Sequence, residues 1–394
     1  MPSSANSRTS IEGLFRDLKV SETSRSRSAS SKKRKNTLSS SLKGSIRGAG
    51  FPSWKTLRGL SSSTAEECKF ILHMNDNYHY YKPEQEKHNV VFERSSAIIQ
   101  ELKTIFDTAK EDNDLLSAYT EFTADTMAHM VYGSNMQEKA GMGLDETINL
   151  CRRVFAGENI DPNGIEERSS EYEAQLKLLV EHGVESPGYE HVIRSRREVI
   201  QHAQALKYIT DAALLSDNPL TEQLIKDTHQ ILCNGVALDD GTNSDEYAGQ
   251  YRTIEVRAGN TVFTHPSRVP REMGIFINDF NNDIRNREKT KDLDPFYLAA
   301  DLCQDFVTIH PFRDGNGRMC RLLANAFLMK YAGIVISIGE HDEDRTEYLK
   351  IAEMAGDGET EEEARGTLAG FFLEKADQTL RDLKARLRLR DGTR

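Results

Sequence analysis

Twelve consecutive residues, His310-Pro311-Phe312-Arg313-Asp314-Gly315-Asn316-Gly317-Arg318-Met319-Cys320-Arg321, bring together an imidazole, a carboxylate, two glycines and three guanidinium groups. An imidazole, with an unperturbed pKa of about 6.5, is suited to take a proton from a hydroxyl near neutral pH. A carboxylate such as Asp314 can hold a hard cation, Mg²⁺ for example, against phosphate oxygens. Gly315 and Gly317 permit positive φ and let backbone N–H groups approach a ligand closely. Arg318 and Arg321 lie three apart, on one face of a helix, where they can neutralise a polyphosphate. Base, cation and anion cradle together describe nucleotidyl or phosphoryl transfer to a hydroxyl.

Two helices must position this set. Leu298, Ala299, Leu302, Cys303, Phe306 and Ile309 recur at helical spacing, and Pro311 stops that run. Leu322, Leu323, Ala326 and Phe327 predict a second helix that begins near Asn316 and buries one face. Its first N–H groups, free of intrahelical partners, would point at an anion. Cys320 is read as a packing residue.

The twelve residues match, at every fixed position, the His-Pro-Phe-x-(Asp/Glu)-Gly-Asn-Gly-Arg-x-x-Arg motif, and the chain resembles the Fic (Fido) domain family over about residues 130–375. The resemblance implies an enzyme that transfers AMP from ATP to a Ser, Thr or Tyr hydroxyl of a target protein. It implies His310 as the base and Asp314 as the ligand of Mg²⁺ at the α- and β-phosphates. Gly315, Asn316 and Gly317 would form the anion hole, with Arg318 and Arg321 on the outer phosphates.

Two further segments carry the resemblance. Ser134-Asn135-Met136-Gln137-Glu138-Lys139 resembles the family's inhibitory (Ser/Thr)-x-x-x-Glu-(Gly/Asn) motif, with Ser134 and Glu138 one helical turn apart. There Glu138 is expected to pair with Arg321, to exclude the γ-phosphate, and to orient a water for the reverse removal of AMP. Lys139 departs from the pattern. Residues 249–260 alternate and contain a Gly-Asn turn, the signature of a hairpin. They resemble the family's flap, which holds the target by main-chain pairing; Ile254 and Val256 would clamp it. Arg252 is read as a structural salt-bridge partner, and His202, His229 and His265 as packing residues. Ala355 stands where many members carry Asn near the nucleotide base, so the donor nucleotide stays open. Two alternatives remain: a Fic-fold transferase of UMP, phosphate or phosphocholine, and a non-catalytic ATP-binding adaptor.

The expected fold is all-α, a Fic-type helical bundle with a short β-hairpin flap. Residues 1–65 read as a disordered Ser-rich basic tail, 66–189 as an N-terminal helical region with the inhibitory helix near 130–139, 190–380 as the catalytic core and 381–394 as a C-terminal tail. Up to Leu60 there are 13 basic and 3 acidic side chains, about +10, so the remainder carries about −21 of the net −11. Lys32-Lys33-Arg34-Lys35 could serve nuclear import. Five scattered cysteines lack metal spacing and fit a reducing compartment. No apolar run is long enough for a membrane helix, so a cytoplasmic protein is expected, with the basic patch offering a route to the nucleus. The expected partners are ATP and a protein substrate, without membrane or nucleic acid. Family members form dimers, but no interface is legible here.

Overall fold

The computed structural model describes residues 71–108, 113–215, 219–258, 261–354 and 360–391. The basic tail with its Lys32–Lys35 patch and Trp54, and Ala355, lie outside the described residues. Twelve α-helices and two small two-stranded sheets make up the described part. No helix among the described residues is long and apolar enough to cross a membrane.

The bundle is organised around α10 (Asn316–Ala332), in which every residue except Gly317 and Lys330 is buried. A one-sided amphipathic helix was expected; a helix buried all round must instead be central. Its polar residues are reachable by partners on neighbouring helices, which is why they can be buried. Asn325, for instance, accepts from the Ile336 N–H at 2.8 Å and donates to the Arg321 carbonyl at 3.0 Å. Against α10 pack α9 (Pro295–Ile309), α5 (Tyr189–Leu215) and α2 (Asn113–Gln137). The long α12 (Glu361–Asp391) covers the far side of α9, and α1 (His88–Thr108) covers α12.

One hydrophobic core runs through the chain from Tyr78 to Leu387 and takes in both the N-terminal helical region and the expected catalytic core. The division at 189/190 is therefore not a seam in packing. Likewise α12 continues past 380 to Asp391 with Leu383 and Leu387 buried, so most of the segment assigned to a C-terminal tail is core helix. Residues 141–187 hold two helices, α3 (Leu144–Phe155) and α4 (Ser170–Glu181). Tyr172 and Leu179 of α4 join Val192 in a small satellite cluster.

The hairpin is present but shorter than its pattern. β2 (Arg257–Ala258) and β3 (Thr261–Val262) pair antiparallel, with Arg257 opposite Val262 and Ala258 opposite Thr261. Residues 251–256 do not join the ladder, because Arg252 is drawn into the protein toward the end of α9.

A parallel pair was not expected: β1 (Ile71–Leu72) lies beside β4 (Asp292–Leu293) and ties the start of the described chain to the start of α9. Asp294 secures the joint. Its carboxylate caps α9 by accepting from the N–H groups of Phe296 and Tyr297, both at 3.0 Å, and also accepts from Asn75 N–H and the Tyr78 hydroxyl, both at 2.9 Å. Burial nevertheless raises its pKa to about 6 against those bonds. Asp294→Ala removes a cap and strands buried donors, so a loss of about 2 kcal/mol is expected in urea unfolding.

Candidate active site

α9 ends at Ile309, and His310 follows in the left-handed region (φ 50°, ψ 61°), its N–H donating to the Phe306 carbonyl at 3.0 Å. Such caps usually fall to glycine, and a side chain there costs about 1 kcal/mol. Here the strain aims an imidazole out of the helix end. The ring stacks on Phe263, with centroids 3.8 Å apart and planes 20° from parallel. Burial, and next the positive charge of Arg252, push its pKa down to about 4, while Glu138 and Asp314 pull weakly the other way. At neutral pH the imidazole is uncharged and can accept a proton.

The loop after it is held from beneath. His229, on α6 (Glu222–Cys233), stacks on Phe312 at 3.7 Å and 4°. Its Nδ1 accepts from the Gly249 N–H at 2.8 Å and its Nε2 meets the Asp314 carbonyl at 3.0 Å, which places the ring proton on Nε2. Burial lowers its pKa to about 4, so the platform stays neutral. Asn316 closes the loop on itself, accepting from the Phe312 N–H at 2.9 Å and donating to its carbonyl at 2.8 Å. The Asn316 side chain is thus structural, which leaves its backbone N–H for an anion. Gly315, at φ 75°, makes the turn into α10.

Arg318 and Arg321 are both buried. Arg318 donates to Oδ2 of Asp314 at 2.9 Å, and the Asp314 side chain remains half exposed. Arg321 turns to the end of α2. Its Nε donates to Ser134 Oγ at 2.7 Å, and its second amino nitrogen donates to the Ser134 carbonyl at 3.0 Å and to Glu138 Oε1 at 2.7 Å. The Glu138 carboxylate lies directly over the start of α10: a Cβ added at Gly317 would sit 2.5 Å from Glu138 Oε1. An anionic group of the chain itself therefore occupies the cradle formed by the helix start and Arg321.

The turn that carries Glu138 closes through the Asn135 carbonyl, which accepts from the N–H groups of Glu138 at 2.9 Å and Ala140 at 3.0 Å. Lys139 within it has φ 52°. That conformation explains why glycine or asparagine suits this place and why lysine departs from the pattern. Asn135 Oδ1 bonds the Nδ1 of the buried His202 at 2.8 Å, so His202 tethers this turn and does not reach the catalytic loop.

Of the expected flap residues, Ile254 is exposed in the bend before β2, and Val256 is partly buried beside the strand. Neither touches His310 in the contacts described. His265 is an exposed cap on a short 3-10 turn, its Nδ1 on Ser267 at 2.8 Å, and not a packing residue. Arg252 forms no ion pair among the described residues; it binds carbonyls, including that of His310 at 2.7 Å. Phe263 was not singled out in the sequence at all, since an aromatic after a short hairpin carries no mark of what it stacks on.

Lys139→Gly removes the left-handed penalty and is expected to stabilise the protein by about 1 kcal/mol, read as a higher urea midpoint at unchanged slope.

Comparison with known proteins places the chain. The Fic/DOC family model matches residues 219–328. A Fido domain-containing protein of Dictyostelium discoideum is 38% identical over 110 residues, 27% of this chain and 71% of that protein. The protein adenylyltransferase fic-1 of Caenorhabditis elegans is 29% identical over 190 residues, 47% of this chain and 34% of its own length. The protein adenylyltransferase Fic of Nematostella vectensis is 28% identical over 189 residues, 47% of this chain and 40% of its own. The chain thus spans only about a third of the length of the worm adenylyltransferase it matches. With the motif at the start of α10, a matching family model and a relative covered over most of its length, the chain belongs to the Fic/DOC family.

Proposed function

We propose that this chain transfers AMP from ATP to a hydroxyl-bearing side chain, Ser, Thr or Tyr, of a target protein, and that Glu138 holds the activity in check. The observation that carries the reading is the Glu138 carboxylate seated on Arg321 and Gly317 at the start of α10, a site made for an anion and filled by the chain's own.

The chemistry follows from the placement. A triphosphate at the start of α10 takes hydrogen bonds from backbone N–H groups at 315–317 and from Arg318. The target hydroxyl gives its proton to His310 as its oxygen bonds to the α-phosphorus, the bond from that phosphorus to the bridging oxygen breaks, and pyrophosphate leaves. Each preorganised donor on the developing charge is worth about 3 kcal/mol. Asp314, half exposed and with one oxygen on Arg318, fits as a ligand of a Mg²⁺ ion carried in with the nucleotide. Such an ion neutralises phosphate charge and helps the leaving group depart.

With Glu138 in place, Arg321 has committed its Nε and one amino nitrogen to Ser134 and Glu138, so an outer phosphate would have to compete with a carboxylate for that edge of the guanidinium. Removing the carboxylate frees the guanidinium edge. The same carboxylate, close to the helix start, is placed to orient water for the reverse removal of AMP.

A pKa near 4 makes His310 a weak base in the free protein. Negative phosphates stabilise imidazolium, so nucleotide binding is expected to raise the His310 pKa by about one unit or more, visible in the NMR titration of its ring protons. Transfer itself is tested by intact mass after incubation with ATP and Mg²⁺. Glu138→Gly is expected to gain multiples of the AMP mass, and the unchanged protein and the Glu138→Gly, His310→Ala form to gain none. No adduct on any form would sink the auto-modification reading. A UMP, phosphate or phosphocholine mass with the matching donor would favour another transferred group.

A further inference from the structure

Arg252 is buried at 4% exposure, and every hydrogen bond its side chain makes among the described residues goes to a main-chain carbonyl. Its Nε donates to His310 at 2.7 Å. One amino nitrogen donates to Ile254 at 3.0 Å, and the other to Thr264 and, at 3.4 Å, to Ile309. Its own N–H donates to the Pro311 carbonyl at 2.9 Å. Ile309 and His310 supply the open carbonyls at the end of α9, where a positive charge is favourable. Ile254 precedes β2 and Thr264 follows β3, so one planar fork touches both legs of the hairpin and the residue bearing the imidazole.

We propose that Arg252 is the positioning residue that sets the register between the flap and His310, so that a target segment paired along the hairpin presents its hydroxyl at the imidazole. This inference rests on the transfer reading above. The argument is geometric. His310 sits in a left-handed conformation that its own sequence does not favour, and the hairpin has only two residue pairs in its ladder. Neither is rigid alone. A guanidinium with five donors in fixed directions can span the three backbone segments at once, whereas an ammonium, a compact point charge, cannot. Phe263, just before Thr264, completes the link by stacking on the His310 ring. The charge of Arg252 has a second effect, since it keeps protons off His310, opposed by Glu138 and Asp314.

The test uses the full chain carrying Glu138→Gly, with Arg252→Lys and Arg252→Gln added in turn. Auto-modification is timed by intact mass, ATP affinity is measured by calorimetry, the His310 ring is titrated by NMR, and amide exchange is followed over 254–264. For Arg252→Lys, ATP affinity within about twofold of the parent is expected, with transfer slower by about tenfold or more, because a small misplacement of reacting groups is costly. Its hairpin amides should exchange faster while the His310 titration stays low. Arg252→Gln should slow transfer as well and move the titration upward. An Arg252→Lys form that modifies itself within about twofold of the parent overturns the proposal. So does unchanged amide exchange in that form, which retains the charge and stands as the deciding variant if Arg252→Gln fails to fold. If the parent itself gains no AMP, the transfer reading fails, and the exchange data decide the role of Arg252 alone: faster hairpin exchange supports it and unchanged exchange overturns it.

Discussion

A guanidinium inside a helical bundle must be paired, and Arg321, at 3% exposure, hydrogen-bonds among the described residues to the far end of α2, nearly two hundred residues earlier in the chain. Ser134 satisfies one edge of it, and Glu138 supplies the opposite charge. Breaking such a pair by deleting one member leaves an uncompensated charge indoors, which is far more costly than the pair is stabilising. The end of α2 is therefore bound to α10 by necessity. The same charge that holds the Glu138 carboxylate makes the start of α10 attractive to a phosphate, so under the proposed function restraint and activity would draw on one group.

Around that pair, the loop between α9 and α10 is built on neutral rings. His229 beneath Phe312 and His310 on Phe263 both have pKa values near 4, chiefly because burial disfavours the imidazolium. A neutral platform matters here, since a charged His229 would lose its ability to accept from Gly249 and would tilt the loop. The positive charge of the site is thereby confined to arginines that stay protonated at any working pH. The Asn316 side chain, which would otherwise compete for a ligand, is instead spent on the loop's own backbone.

Much of this was legible before any coordinates. The twelve-residue motif announced its chemistry by composition, and the apolar spacing of α9 and α10 placed the helices on either side. What remained hidden has physical causes. Strands of two residues, such as β1 and β4, carry no periodicity to detect. The bounds of α3 are blurred in the sequence because Arg152 and Arg153 interrupt its buried stripe of Leu150, Cys151, Val154 and Phe155. The role of Arg252 depends on carbonyls converging from three separate segments, and a carbonyl leaves no trace in a sequence. Lys139 was noted as a departure, but only its left-handed backbone says what the departure costs.

The continuous hydrophobic core has a consequence for how such a protein can be switched. Because described residues on both sides of the turn that carries Glu138 are packed into one cluster, from Tyr78 to Leu387, swinging that whole segment away would expose core side chains to water. Under the restraint proposed above, release would need no more than a change in the few dihedral angles of the turn that carries Glu138, with Ser134 anchored one turn earlier. A change of that size would leave the apolar cluster packed. The restraint proposed for Glu138 would then work like a latch in a closed wall rather than like a door.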